Sequence, residues 1–102
     1  MTSLPDGVLR AARTYLDMTW DDPATDEKLS GILARGMTYL DHIAGVAQSY
    51  STETNARALL FDYARYARAN ALQDFGKDFL CELNGLHVAG EVKQYEANTG
   101  IQ

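Results

Sequence analysis

Four aspartates lie close together near the front of the chain, at Asp17, Asp21, Asp22 and Asp26. Clustered carboxylates are the ligands of a calcium loop of the EF-hand type, which also needs a glycine at its sixth position and a glutamate at its twelfth. Counted from Asp17, those two positions hold Asp22 and Lys28, and counted from Asp21 the sixth position holds Asp26. The pattern therefore predicts helix capping and a solvated loop rather than a calcium site.

The side chains that most often bind metals or act as nucleophiles are His42, His87 and Cys81. They share no ligand spacing, and no recognised nucleophile motif surrounds Cys81 or any serine. The glycines at positions 31, 36 and 45 are spread through and after a helical segment, so they do not form a phosphate-binding loop behind a strand. We therefore predict that the protein is not an enzyme and requires no cofactor or metal.

The composition limits the class of protein further. A chain of 102 residues fits one domain, and no apolar run approaches the ~20 residues that cross a bilayer. Residues 1–6 lack the basic start and apolar stretch of a secretory signal, and a single cysteine cannot form an internal disulfide, so we expect a soluble protein of a reducing compartment. The net charge of −5 opposes tight nucleic-acid binding, which depends on Lys and Arg contacts to phosphate.

Two prolines mark predicted helix starts, because proline at the first helical position loses no hydrogen bond that the helix needs. A first helix runs from Pro5 to about Leu16. Asp22 is the expected N-cap of a second helix, which runs from Pro23 to about Ala44. The core stripe of the second helix consists of Leu29, Ile32, Leu33, Gly36, Met37, Leu40, Ile43 and Ala44.

Ser51 or Thr52 can cap a third helix, and a polar interruption of its apolar stripe predicts a break near Asn70. A fourth helix then runs to about Leu86. Residues 87–102 contain few large apolar side chains and two glycines, which indicates an extended tail. The predicted fold is mainly α: a small bundle of about four helices with an extended C-terminal tail, divided into a helical domain at 1–86 and a tail at 87–102.

The third helix carries a second face of unusual composition. Phe61 projects away from the core stripe, with Arg57, Arg65 and Arg68 nearby, and Leu72 continues that direction. One interpretation is that another helix of the same chain covers this face. The other is a subunit interface, where aromatic and arginine side chains are enriched.

At these residues the chain resembles the phage head-tail connector proteins, also called adaptor or head-completion proteins. The run from Leu59 to Phe75 (LLFDYARYARANALQDF), followed by Phe79-Leu80 and residues 83–86, is similar to the third and fourth helices of that family. The front agrees, with a short helix ending in residues 15–17 (YLD) and residues 20–26 (WDDPATD) leading into a long helix. The resemblance covers residues 4–86, and the tail has no counterpart.

The resemblance implies a structural virion protein that forms a ring of about a dozen copies beneath the portal at the head-tail junction, after assembly in the host cytoplasm. Its partners would be the portal protein and a head-closure (stopper) or tail-completion protein, with DNA only passing through the lumen and no membrane contact. Arg57, Phe61, Arg65, Arg68 and Leu72 are the expected subunit interface. The tail is the expected assembly segment, and its apolar anchors are Val88, Val92, Tyr95 and Ile101.

The alternative function is a small helical DNA-binding regulator, in which the second and third helices form a helix-turn-helix. That motif needs a turn of about three or four residues, whereas the predicted connection is longer. The acidic balance also opposes it. The connector interpretation is therefore preferred.

Overall fold

The computed structural model describes residues 4–20 and 22–99. These residues form five helices and no strand: α1 (Val8–Tyr15), α2 (Pro23–Ala44), α3 (Asn55–Arg68), α4 (Leu72–Asp78) and α5 (Leu80–Thr99). The predicted mainly α class is confirmed. One helix more than expected is present because the predicted fourth helix is divided at Phe79, where the backbone leaves the helical region (φ −113°, ψ 25°). Throughout this described part, each helix falls short of the length and apolar character that a membrane span requires.

Local sequence sets both ends of α2. Asp22 caps its N-terminus: Oδ1 accepts a hydrogen bond from Ala24 N at 3.2 Å, and Oδ2 accepts one from the Thr25 hydroxyl at 2.7 Å. Pro23 begins the helix, as predicted. The helix ends at Gly45, whose φ of +78° is the left-handed conformation that glycine adopts without strain.

The third helix starts slightly later than predicted. Thr54, rather than Ser51 or Thr52, is its N-cap, and Thr54 Oγ1 accepts a hydrogen bond from Arg57 N at 3.1 Å. The predicted break near Asn70 is confirmed, because Asn70 has a φ of +56°. Asparagine tolerates this left-handed conformation better than most residues do, so α3 ends there and α4 takes a new direction.

The core lies between α2 and the helices packed around it. Gly36 of α2 allows α3 to approach closely, since a Cβ at this position would lie 2.7 Å from the Leu60 side chain and 2.8 Å from that of Tyr63. Glycine therefore serves packing here, although it weakens an isolated helix. The largest fully buried side chains are Phe75, Leu29, Leu33, Leu40, Leu60 and Val8.

The predicted extended tail was wrong for residues 87–99, which continue α5 as a helix. Leu83 and Leu86 of α5 are buried in the core, and α5 then crosses the C-terminal end of α2. The helix runs straight through the predicted boundary between residues 86 and 87. Residues 100–102, including Ile101, lie outside the described residues.

The crossing of α5 over α2 depends on three residues on one side of α5. His87 Nδ1 donates to the Ile43 carbonyl at 2.9 Å, and Gln94 Nε2 donates to the Gly45 carbonyl at 2.8 Å. The last carbonyls of a helix lack partners within the helix, so these two side chains satisfy groups that would otherwise need water. Gly90 lies between them and leaves no space for a side chain, which brings the two backbones together.

Candidate functional site

The side chains that could do chemistry are dispersed over the molecule. His42 and Cys81 are exposed on different helices. His87 is occupied by the α2 crossing, and its Nε2 lies 3.4 Å from Glu91 Oε1. Over residues 4–20 and 22–99, no group of three or more His, Cys, Asp or Glu side chains could hold a metal ion. The absence of catalytic activity stays a prediction.

Among the four clustered aspartates, Asp22 caps the N-terminus of α2. Hydrogen bonds from the Thr25 hydroxyl and then the Ala24 N–H hold the pKa of Asp22 below its ordinary value of 3.8. Asp26 contributes differently, since its Oδ2 lies 3.5 Å from the Arg13 guanidinium. The capping interpretation is thus confirmed for Asp22, while Asp21 lies outside the described residues.

Phe61 belongs to the core of the subunit and not to an open face of α3. Its side chain is only 6% exposed, and the ring of Tyr15 from α1 covers it at a centroid distance of 5.7 Å. The Tyr15 hydroxyl also donates to Asp62, which fastens α1 to α3. Phe61 is therefore largely covered within its own subunit, and a contact of the remaining exposed part with a neighbouring subunit stays a prediction. The other interpretation, in which a helix of the same chain covers this face, is confirmed for Phe61, whereas Arg65, Arg68 and Leu72 stay exposed.

The arginines around Phe61 have separate surroundings. The Arg57 guanidinium lies over the Phe61 ring, 5.3 Å from its centroid. Arg65 is exposed and pairs with Asp62 at 3.3 Å. A contact of these residues with a neighbouring subunit stays a prediction. The other predicted interface residues, also exposed, are Arg68 and Leu72.

A groove of about 520 Å³ lies between α1 and the first half of α3, and we call it the α1–α3 groove. Ala11, Tyr15, Ala58 and Phe61 give it an apolar floor, Arg10 and Arg57 carry positive charge at its edge, and Glu53 and Thr54 complete one end. Sequence reasoning missed Arg10 and Ala58. The sequence signal that could have indicated this wall of the groove is the spacing of Arg10, Ala11 and Thr14, which places them on one side of a short helix.

The second surface is the outer side of α5. Leu80, Val88, Val92 and Tyr95 are 56%, 55%, 53% and 69% exposed, respectively, and we call these four residues the α5 face. At about 100° per residue, the last three lie within about 60° of one another and opposite the buried Leu83 and Leu86. Val88, Val92 and Tyr95 are the anchors predicted from the sequence. The structure brings them together on a helix instead of an extended strand.

Comparisons of the chain with protein-family models, with curated proteins and with solved structures find no match. The resemblance to head-tail connectors therefore depends on the sequence pattern of residues 4–86. The geometry contributes two surfaces, the α1–α3 groove and the exposed apolar α5 face.

Proposed function

We propose that the chain is a structural subunit of a phage or prophage particle, a head-tail connector that forms a ring beneath the portal. The ring would join the DNA-filled head to the tail or to head-closure proteins. The observation that carries this proposal is the α5 face, because an apolar helix side of this kind on a small subunit typically marks a contact with another protein. The sequence pattern of residues 4–86 supplies the type of assembly.

The modest core of the subunit also supports assembly. A domain of about 100 residues buries only about two thirds of the surface that its unfolded chain exposes. In this chain, much of the remaining apolar surface is concentrated on α5. Covering that surface in a ring would add stability that the single subunit lacks.

The charge suits a channel through which DNA passes without binding. Each subunit carries a formal net charge of −5, and repetition of that charge around a ring repels the phosphate backbone.

The geometry of the connection between α2 and α3 also opposes the helix-turn-helix alternative. The connection between α2 and α3 runs from Gly45 to Thr54, far longer than the turn of about three or four residues in that motif.

Native mass spectrometry of the purified chain, alone and with the portal protein of the same phage, tests the proposal. We expect a discrete ring of the 11.3 kDa subunit, or its capture by portal. A chain that stays monomeric and ignores portal would contradict the connector function.

A duplex-DNA gel shift at two salt concentrations tests the alternative. A regulator binds tightly and loses affinity steeply as salt rises, whereas a connector shows weak binding at both concentrations. Tight, salt-sensitive binding of duplex DNA would contradict the connector function and support the DNA-binding regulator instead.

A further inference from the structure

The α5 face carries negative charge on both of its sides. At about 100° per residue, Glu91 lies about 60° to one side of Val88 and Glu96 about 80° to the other side. Lys93 lies about 140° from Val88, well away from the face. Val88, Val92 and Tyr95 therefore form an apolar stripe between two glutamates.

The α1–α3 groove has the complementary chemistry. Its floor is apolar. Two positively charged side chains, Arg10 and Arg57, lie at its edge, whereas only one of its described lining residues, Glu53, carries a carboxylate. A net positive groove is notable in a chain whose overall charge is −5. An apolar helix with acidic borders is the ligand that such a groove would select.

Three other grooves on the described surface fit the α5 face less well. The one lined by Arg10 and Arg13 measures only about 290 Å³ and has no aromatic side chain among its described lining residues. The groove between α3 and α5 is lined by Asp62 and Glu82, with no lysine or arginine among its described lining residues, so it would repel an acidic helix. A groove near Lys28 and Arg68 has the required charge, but it is smaller, about 300 Å³, and its described lining contains no aromatic side chain. Charge and apolar area together favour the α1–α3 groove.

We propose that the α5 face of one copy packs into the α1–α3 groove of the next copy, so that the subunits join head to tail. This inference rests on the proposed function and assigns the surfaces that build its ring. The dimensions agree for the three residues that share one side of the helix, since Val88 to Tyr95 spans about 10 Å and the α1 wall of the groove about 12 Å, while Leu80 falls outside this length. None of the four α5-face residues lines the groove of its own subunit.

The head-to-tail arrangement follows from the difference between the two surfaces. A symmetric pairing of two α5 faces would bring Glu91 and Glu96 of both copies together, and like charges in one interface oppose association. When two copies join through two different surfaces, the pair keeps an unoccupied groove at one end and an unoccupied α5 face at the other end. Such contacts can continue until a ring closes.

A mixing experiment with two damaged subunits tests this arrangement. One variant, Val88→Asp with Val92→Asp, loses the α5 face, and the other, Arg10→Glu with Arg57→Glu, loses the charge of the groove. Each alone should associate at least about tenfold more weakly than the wild type in sedimentation analysis. Mixed in equal amounts, they should form a dimer of twice 11.3 kDa and nothing larger, because only one intact groove and one intact face remain.

Matched variants separate the interface from changes in charge or folding. Ala97→Asp adds a charge at an exposed position about 180° from Val88, and Arg35→Glu with Lys77→Glu reverses two exposed charges that do not line the groove. Both should assemble like the wild type. Ala58→Trp places a large side chain at an exposed position that lines the groove and keeps both Arg57 and Phe61 in the sequence, so it should block assembly. Circular dichroism confirms that each variant keeps its helices.

Several results would overturn the inference, and they differ from those that would overturn the connector function. If the groove variants and Ala58→Trp still assemble while the α5 variant does not, the α5 face pairs with something else. If the mixture of the two damaged subunits stays monomeric, the two surfaces do not meet. A wild-type chain that portal captures but that never self-associates removes the head-to-tail contact and leaves the connector function standing.

Discussion

Gly90 is the residue whose substitution tests the path of α5 most directly. A Cβ built at this position lies 1.8 Å from the Ala44 carbonyl oxygen and 2.8 Å from the Ala44 carbonyl carbon. Both atoms belong to the backbone, so no side-chain rotation can make room. The two helices must separate by at least 1.2 Å, the difference between 1.8 Å and the 3.0 Å below which real Cβ contacts are essentially absent.

The cost of Gly90→Ala follows from the contacts that this separation disturbs. Overpacking costs about 1–3 kcal/mol. The hydrogen bonds of His87 and Gln94 to the α2 terminus contribute about 0.5–1.5 kcal/mol each and stretch with the movement. Alanine returns up to about 1 kcal/mol of helix propensity. The free energy of unfolding should therefore fall by about 3 kcal/mol, which lowers Tm by roughly 12–24 °C in a domain of this size.

Gly85→Ala is the matched control, because Gly85 lies on the same helix and has nothing within 4 Å of the added Cβ. This change should raise the free energy of unfolding by about 0.5–1 kcal/mol through helix propensity alone. Urea denaturation followed by circular dichroism measures both variants. If Gly90→Ala is as stable as Gly85→Ala, α5 does not cross α2 at Gly90, and residues 87–99 do not pack on the bundle.

Three further changes test the core, a partly buried hydrogen bond and a helix cap. Phe61→Ala should lower the free energy of unfolding by about 3–5 kcal/mol in urea denaturation, since the ring is buried; near-native stability would return Phe61 to an open face. Tyr50→Phe removes the hydroxyl that donates to Asp41 Oδ1 at 2.7 Å, and a loss of about 2 kcal/mol in the same assay is expected, whereas no loss would mean that water replaces this hydrogen bond. Asp22→Ala should lower Tm through loss of the N-cap; because the folded-state pKa of Asp22 is lowered, this difference should be complete above the ordinary pKa of 3.8 and disappear as pH falls through the folded-state pKa. A Tm difference that persists in strong acid would exclude the carboxylate as its source.

Local sequence was sufficient for the helices whose ends depend on neighbouring residues. Asp22 and Pro23 start α2, the helix runs to Ala44, and Asn70 separates α3 from α4, all as predicted. Each of these signals acts within about one turn of helix, through a cap or a left-handed residue. Because the interacting residues are close neighbours in the chain, these interactions can be predicted without the tertiary structure.

The helical state of residues 87–99 was missed for a physical reason that concerns both sides of α5. Leu83 and Leu86 lie on one side, and Val88 and Val92 lie on the other, so the apolar residues do not form one stripe. A helix that is apolar on two sides gives little periodic signal, and Gly90 made the segment look weaker still. Contacts with α2, distant in the chain, fix this segment as helix.

The sequence by itself determined the mainly α class, the caps and bounds of α2 and the break at Asn70, because these depend on residue type and short-range spacing. Only the tertiary structure decided that α1 covers Phe61, and that Arg10 and Arg57 lie along one groove. Which helix meets which face depends on contacts between residues far apart in sequence, such as Ala44 and Gly90. No local pattern encodes those contacts, since one apolar side chain can be covered equally well by its own chain or by a neighbour.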